Sequence, residues 1–75
     1  MVIVRVVVMD RIDLHGVPHA KVANMVEDYI LLHDPPMEII TGNSNEMQKI
    51  VIAVLKKHLM GYVIHAYNLG VIVVL

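Results

Sequence analysis

Asp13-Leu14-His15-Gly16 and Thr41-Gly42-Asn43-Ser44 are two polar corners in an otherwise apolar chain, and they hold the residue types from which a reactive site can be built. A carboxylate and an imidazole two residues apart, Asp13 and His15, form a workable acid–base pair at neutral pH or the start of a metal site. Gly16 lets the backbone turn away behind them. The second corner suggests different chemistry. Thr41 and Ser44 offer hydroxyls and Asn43 an amide, while Gly42 allows close backbone approach and the segment leads into a helical pattern whose unpaired N–H groups and dipole favour an anion such as phosphate. Plainer roles exist for the same residues. Asp13 can cap a turn, His15 can tie two loops together, and Ser44 or Asn45 can simply cap the helix.

The elements that must position these corners follow from hydrophobic spacing. Val22, Met25, Val26, Tyr29 and Ile30 fall on one helical face, with Pro18 in the first turn and an end by Asp34, because Pro35 disfavours helical geometry before it. Met47, Ile50, Val51, Val54 and Leu55 repeat that series in a second helix, where Asn45 and Gln48 have the spacing of a capping box. Met37-Glu38-Ile39-Ile40 reads as a short strand, and the tail reads as strands over Tyr62 to Tyr67 and Val71 to Leu75 around an Asn68-Leu69-Gly70 turn. Ile12-Asp13-Leu14 ends the first strand. The β-branched run Val2 to Val8 extends it through residues 1–9, as a bent continuous strand or by a hairpin near Asp10-Arg11; the lack of Gly or Asn there favours the bend.

The resulting order, β-α-β-α-β-β, predicts a single domain over residues 1–75 in the α/β (α+β) class: a two-layer sandwich with two helices on one face of a mixed four-stranded sheet. A parallel strand–helix–strand unit puts both strand exits on the same edge, so both corners are expected to face one crevice.

Ile12 to Gly16, then Ile39-Ile40-Thr41-Gly42, then Gly70-Val71-Ile72-Val73-Val74-Leu75 together resemble the ordered motifs of the Smr domain, the small MutS-related module, over about residues 11–75. The resemblance implies the two-layer fold shared with the C-terminal domain of translation initiation factor 3. It also implies a nucleic-acid partner, DNA or RNA, and endonuclease (hydrolase) chemistry that nicks a phosphodiester with Asp13 and His15 as catalytic residues and Mg²⁺ or Mn²⁺ as the candidate cofactor. No metal ligand set is assigned. Gly16, Thr41, Gly42, Asn43, Ser44 and Lys49 are then the expected phosphate-binding residues. Smr domains carry a basic residue and a second glycine where this chain has Asn43 and Ser44. That difference weighs against cleavage more than against binding, because transition-state charge most needs the positive partner. A non-catalytic nucleic-acid-binding module and a structural or regulatory oligomerisation module therefore stay open beside the endonuclease.

Composition bounds these readings. Net charge is −1 with six cations, of which Lys49, Lys56 and Lys57 share the second helix, so a polyanion must be met by a local patch. There is no cysteine, which excludes disulfides, thiolate zinc sites and a cysteine nucleophile and fits a cytoplasmic setting. The apolar runs fall far short of the roughly 20 residues that span a bilayer, so no membrane partner is expected. His15 and His19 have helical metal-ligand spacing, but Gly16 and Pro18 intervene; His58 suits the helix dipole, and Met25 and Met47 read as packing. With 57% hydrophobic residues, the chain is expected to form a homo-oligomer through a sheet edge, Val2 to Val8 or Val71 to Leu75.

Overall fold

The computed structural model describes residues 9–65 and 68–75. Six elements follow in the expected order: β1 (Asp10–Asp13), α1 (His19–Leu32), β2 (Met37–Ile40), α2 (Asn45–Lys57), β3 (Tyr62–Ile64) and β4 (Val71–Val74). They form a mixed four-stranded open sheet in the spatial order β1-β2-β4-β3. β1 and β2 are parallel, with Asp10 beside Met37 and Asp13 beside Ile40, while β4 runs antiparallel to both β2 and β3. β3 therefore runs the same way as β1 and β2. The crossover through α2 skips one lane of the sheet, and β4 fills it.

Periodicity decides which side each residue takes. α1 buries Val22, Val26 and Ile30, and α2 buries Met47, Val51, Val54 and Leu55. These meet Leu14, Met37, Ile39, Ile72 and Val74 in one core, so both helices lie on the sheet face that carries Met37 and Ile39. Each fully buried aliphatic side chain contributes about 1.5–3 kcal/mol. Alternation turns Arg11, Asp13, Glu38, Ile40, Val63 and Val73 to the other face. Arg11 and Glu38, side by side in register, form a 3.5 Å ion pair there.

Histidines tie the elements together by their acidic neighbours. His33, the C-cap of α1, reaches Asp10 of β1 at 3.4 Å and stacks on Tyr29 with ring centroids 4.2 Å apart. His58, the C-cap of α2, meets Glu27 of α1 at 3.1 Å instead of serving only its own helix dipole. α2 then closes in a Schellman motif: the Leu59 N–H donates to Lys56 O (3.1 Å) and the Met60 N–H to Leu55 O (3.0 Å). Leu59 occupies the left-handed position with φ 56°, where glycine is the relaxed choice, and its side chain is 94% exposed.

Several expectations need correction. Val71–Val74 is not an edge strand: β4 lies between β2 and β3, with a neighbouring strand on each side. The edges of the described sheet are β1 and β3, and Val2 to Val8 lie outside the described residues. Asp10 and Arg11 are the first two residues of β1, and the run Val2 to Val8 that would bend or turn into them lies outside the described residues. β3 ends at Ile64, and Ala66 and Tyr67 fall outside the described residues. Pro18 is the N-cap of α1, one position before the helix. Ser44 caps α2 through a 3.2 Å bond from the Met47 N–H, which leaves Asn45 as the first helical residue and no Asn45–Gln48 capping box; the Gln48 amide instead donates to the Leu69 carbonyl. Met25 is 37% exposed and lies off the core. Among the described residues, no helix is long and apolar enough to cross a membrane.

Candidate functional site

Because β1 and β2 are parallel neighbours, their exits open on one rim of the sheet. The ladder continues one step past β1, with the Leu14 N–H donating to Ile40 O at 2.8 Å, and Leu14 itself is fully buried. That anchor leaves Asp13, His15 and Gly16 exposed around it. The Asp13 carboxylate accepts from the His15 backbone N–H at 2.9 Å, an Asx-type turn, and Gly16 follows at φ 80°. A Cβ built on Gly42 would lie 3.7 Å from Cδ2 of His15, so the imidazole of the first corner rests against the backbone of the second. No ion pair joins the Asp13 and His15 side chains among the described residues.

The second corner is held from below by one carbonyl. Gly70 O accepts from the Thr41 N–H (2.8 Å) and the Gly42 N–H (3.2 Å), and the buried Thr41 hydroxyl lies 3.2 Å from the same oxygen and 3.0 Å from Gly42 O. Backbone meets backbone here: a Cβ on Gly70 would stand 3.0 Å from Gly42 Cα, C and O. Gly42 turns at φ 65° and carries the chain into α2. Of the expected phosphate-binding groups, Thr41, the Gly42 N–H and the Ser44 hydroxyl thus already have partners inside the protein. The Asn43 amide and the first N–H groups of α2, at Asn45 and Glu46, are the donors the corner turns to solvent.

Two further residues, His19 and Glu46, join this rim through a contact with each other. His19, at the start of α1, places Nδ1 3.1 Å from Glu46 Oε2 and Nε2 3.5 Å from Ser44 Oγ. The sequence suggested His19 only as a metal partner for His15, whereas it links the two helix starts across 27 residues. Glu46 puts a carboxylate of the protein's own in the first turn of α2, where the dipole favours negative charge. Counted from Asn45 by the 1.5 Å rise per residue, Lys49 is exposed about 6 Å along the helix axis, while Lys56 and Lys57 lie about 16–18 Å along it. Those two cannot flank the rim, and Lys57 pairs with Glu27 at 3.3 Å. The rim therefore carries Asp13 and Glu46 against Lys49, with the imidazoles of His15 and His19 beside them.

Metal fit is limited. Among the described residues no three His, Cys, Asp or Glu side chains gather to hold an ion, and one oxygen of Asp13 is already bonded to the His15 N–H. These donors do not build an oxygen cage for Mg²⁺ or Mn²⁺. Beside the second corner, Asn43, Asn45, Gln48, Ile64 and Leu69 line a groove of about 300 Å³ that runs toward β3.

No protein-family model, curated protein or solved structure matches this chain.

Proposed function

We propose that the chain is an Smr-like nucleic-acid-binding module whose rim takes a backbone phosphate. The supporting observation is the contact of His15 with Gly42, which joins the two corners into one exposed surface at the start of α2. A phosphate there would accept from the Asn43 amide and the first N–H groups of α2, with Lys49 as the cationic partner. Asp13 and Glu46 oppose it, so the binding is weak and involves few phosphates. A slope of log affinity against log salt of about −1 to −2 is expected, roughly one unit per phosphate contacted. Fluorescence anisotropy with labelled single-stranded and duplex DNA and RNA measures it. Loss of binding in Asn43→Ala, Lys49→Ala supports the site; equal affinity of that variant, or no binding by the parent protein at low salt, rejects it.

A second reading, phosphodiester nicking, is favoured by the exposure of Asp13 and His15 on the same rim. In it, Asp13 takes a proton from the attacking water and His15 gives one to the leaving oxygen. A supercoiled-plasmid and RNA nicking assay, with and without Mg²⁺ or Mn²⁺, is run beside the Asp13→Ala, His15→Ala double variant. Undiminished cleavage by that variant excludes the assignment. The other partner we propose is a second copy of the chain, met at a sheet edge, in a cytoplasmic setting.

A further inference from the structure

The ladder between β3 and β4 shows which backbone groups of β3 lack a neighbour. The Leu75 N–H donates to Gly61 O and the His65 N–H to Val71 O, both at 2.9 Å, and the register sets Val63 opposite Val73. In an antiparallel pair, hydrogen-bonded residues alternate with non-bonded ones, so residues 61, 63 and 65 face β4. Tyr62 and Ile64 are the alternate positions. Their N–H and C=O groups point away from β4, to an edge on which no described strand lies.

The side chains around that edge are as exposed as its backbone. Leu59 (94%), Val63 (48%), Ile64 (43%), Leu69 (68%) and Leu75 (63%) make up five of the eight large hydrophobic residues open to solvent among the described residues. No charged residue occurs from Leu59 to Ile64. The β1 edge differs: Asp10, Arg11 and Asp13 occupy three of its four positions, the pattern that blunts an edge against pairing.

We infer that β3 pairs antiparallel with β3 of a second copy about a twofold axis through Val63, joining two sheets into one of eight strands. The occupant follows from the edge itself. Tyr62 of each copy bonds Ile64 of the other, satisfying the four outward groups of each strand, and the absence of charge removes like-charge repulsion between identical surfaces. Each Val63 faces its equivalent as a non-hydrogen-bonded pair, with Cα atoms about 4.5 Å apart, a separation a disulfide can span.

The chain has no cysteine, so single-cysteine variants report position cleanly. Under mild oxidation Val63→Cys is expected to cross-link about tenfold faster than Arg11→Cys on the β1 edge, because pairing raises the local thiol concentration. The parent chain is expected to dimerise in sedimentation equilibrium and Val63→Lys to stay monomeric with an unchanged circular dichroism spectrum, since two ammonium groups would meet at the axis. Leu59→Gly, which relaxes the backbone, provides a second variant that folds and should weaken the dimer. Monomer alone for the parent chain at its highest soluble concentration, equal cross-linking rates for the two cysteine variants, or a dimer that survives Val63→Lys would each overturn the proposal.

Discussion

The rim and the β3 edge divide the polar chemistry of this molecule in opposite ways. At the rim, conspicuous side chains are largely occupied: Asp13 holds a turn, Thr41 and Gly42 share one carbonyl, Ser44 caps a helix, and His19 grips Glu46. At the β3 edge the side chains are bland, yet Tyr62 and Ile64 present unpaired backbone donors and acceptors. The lesson is that residue type marks where chemistry is conceivable, whereas unmet hydrogen-bonding capacity marks where a partner gains most.

The sharpest way to break this contrast is to loosen the rim. Gly70→Ala forces a methyl group against the Gly42 backbone and is expected to destabilise the fold by about 1–3 kcal/mol, read by urea unfolding. An unchanged midpoint would mean that the rim yields as readily as the edge. Leu59→Gly is expected to act in the other direction, stabilising the monomer by about 1 kcal/mol through relief of the left-handed leucine. A higher melting temperature together with weaker self-association would separate the role of Leu59 at the edge from its cost to the fold. Thr41→Val removes a buried hydroxyl while leaving both N–H bonds to Gly70, so about 1 kcal/mol is expected to be lost, checked by thermal unfolding.

The smallest effect is at neither region and serves as a reference for both. The bonds from His58 and then Lys57 hold the Glu27 carboxyl below its ordinary value of 4.5. With the folded value depressed, the contribution of Glu27 is fully present above the unfolded value and is lost as pH falls through the folded one. Glu27→Gln should therefore flatten the acid limb of a stability-against-pH curve below about 4.5 and leave rim and edge assays unchanged.

Local patterns carried most of the fold. The spacing from Val22 to Ile30 and from Met47 to Leu55 placed both helices, and Pro35 bounded the first. The parallel β1–α1–β2 unit, which brings the corners together, followed from element order. What failed depended on contacts distant in sequence. Val71–Val74 reads equally as an edge or a central strand until its two neighbours are known. The grip of Gly70 on Thr41 and of His19 on Glu46 spans 29 and 27 residues, beyond the reach of any periodicity. The choice of Ser44 over Asn45 as cap turned on a single residue at a helix boundary, where sequence signals are least sharp.

The central place of β4 also has a temporal meaning. A nascent chain halted before Val71 holds β1, α1, β2 and α2 with the inner side of β2 bare, and β3 has no strand to join. Sheet closure waits on the arrival of four residues, and until then an apolar seam stays open along β2.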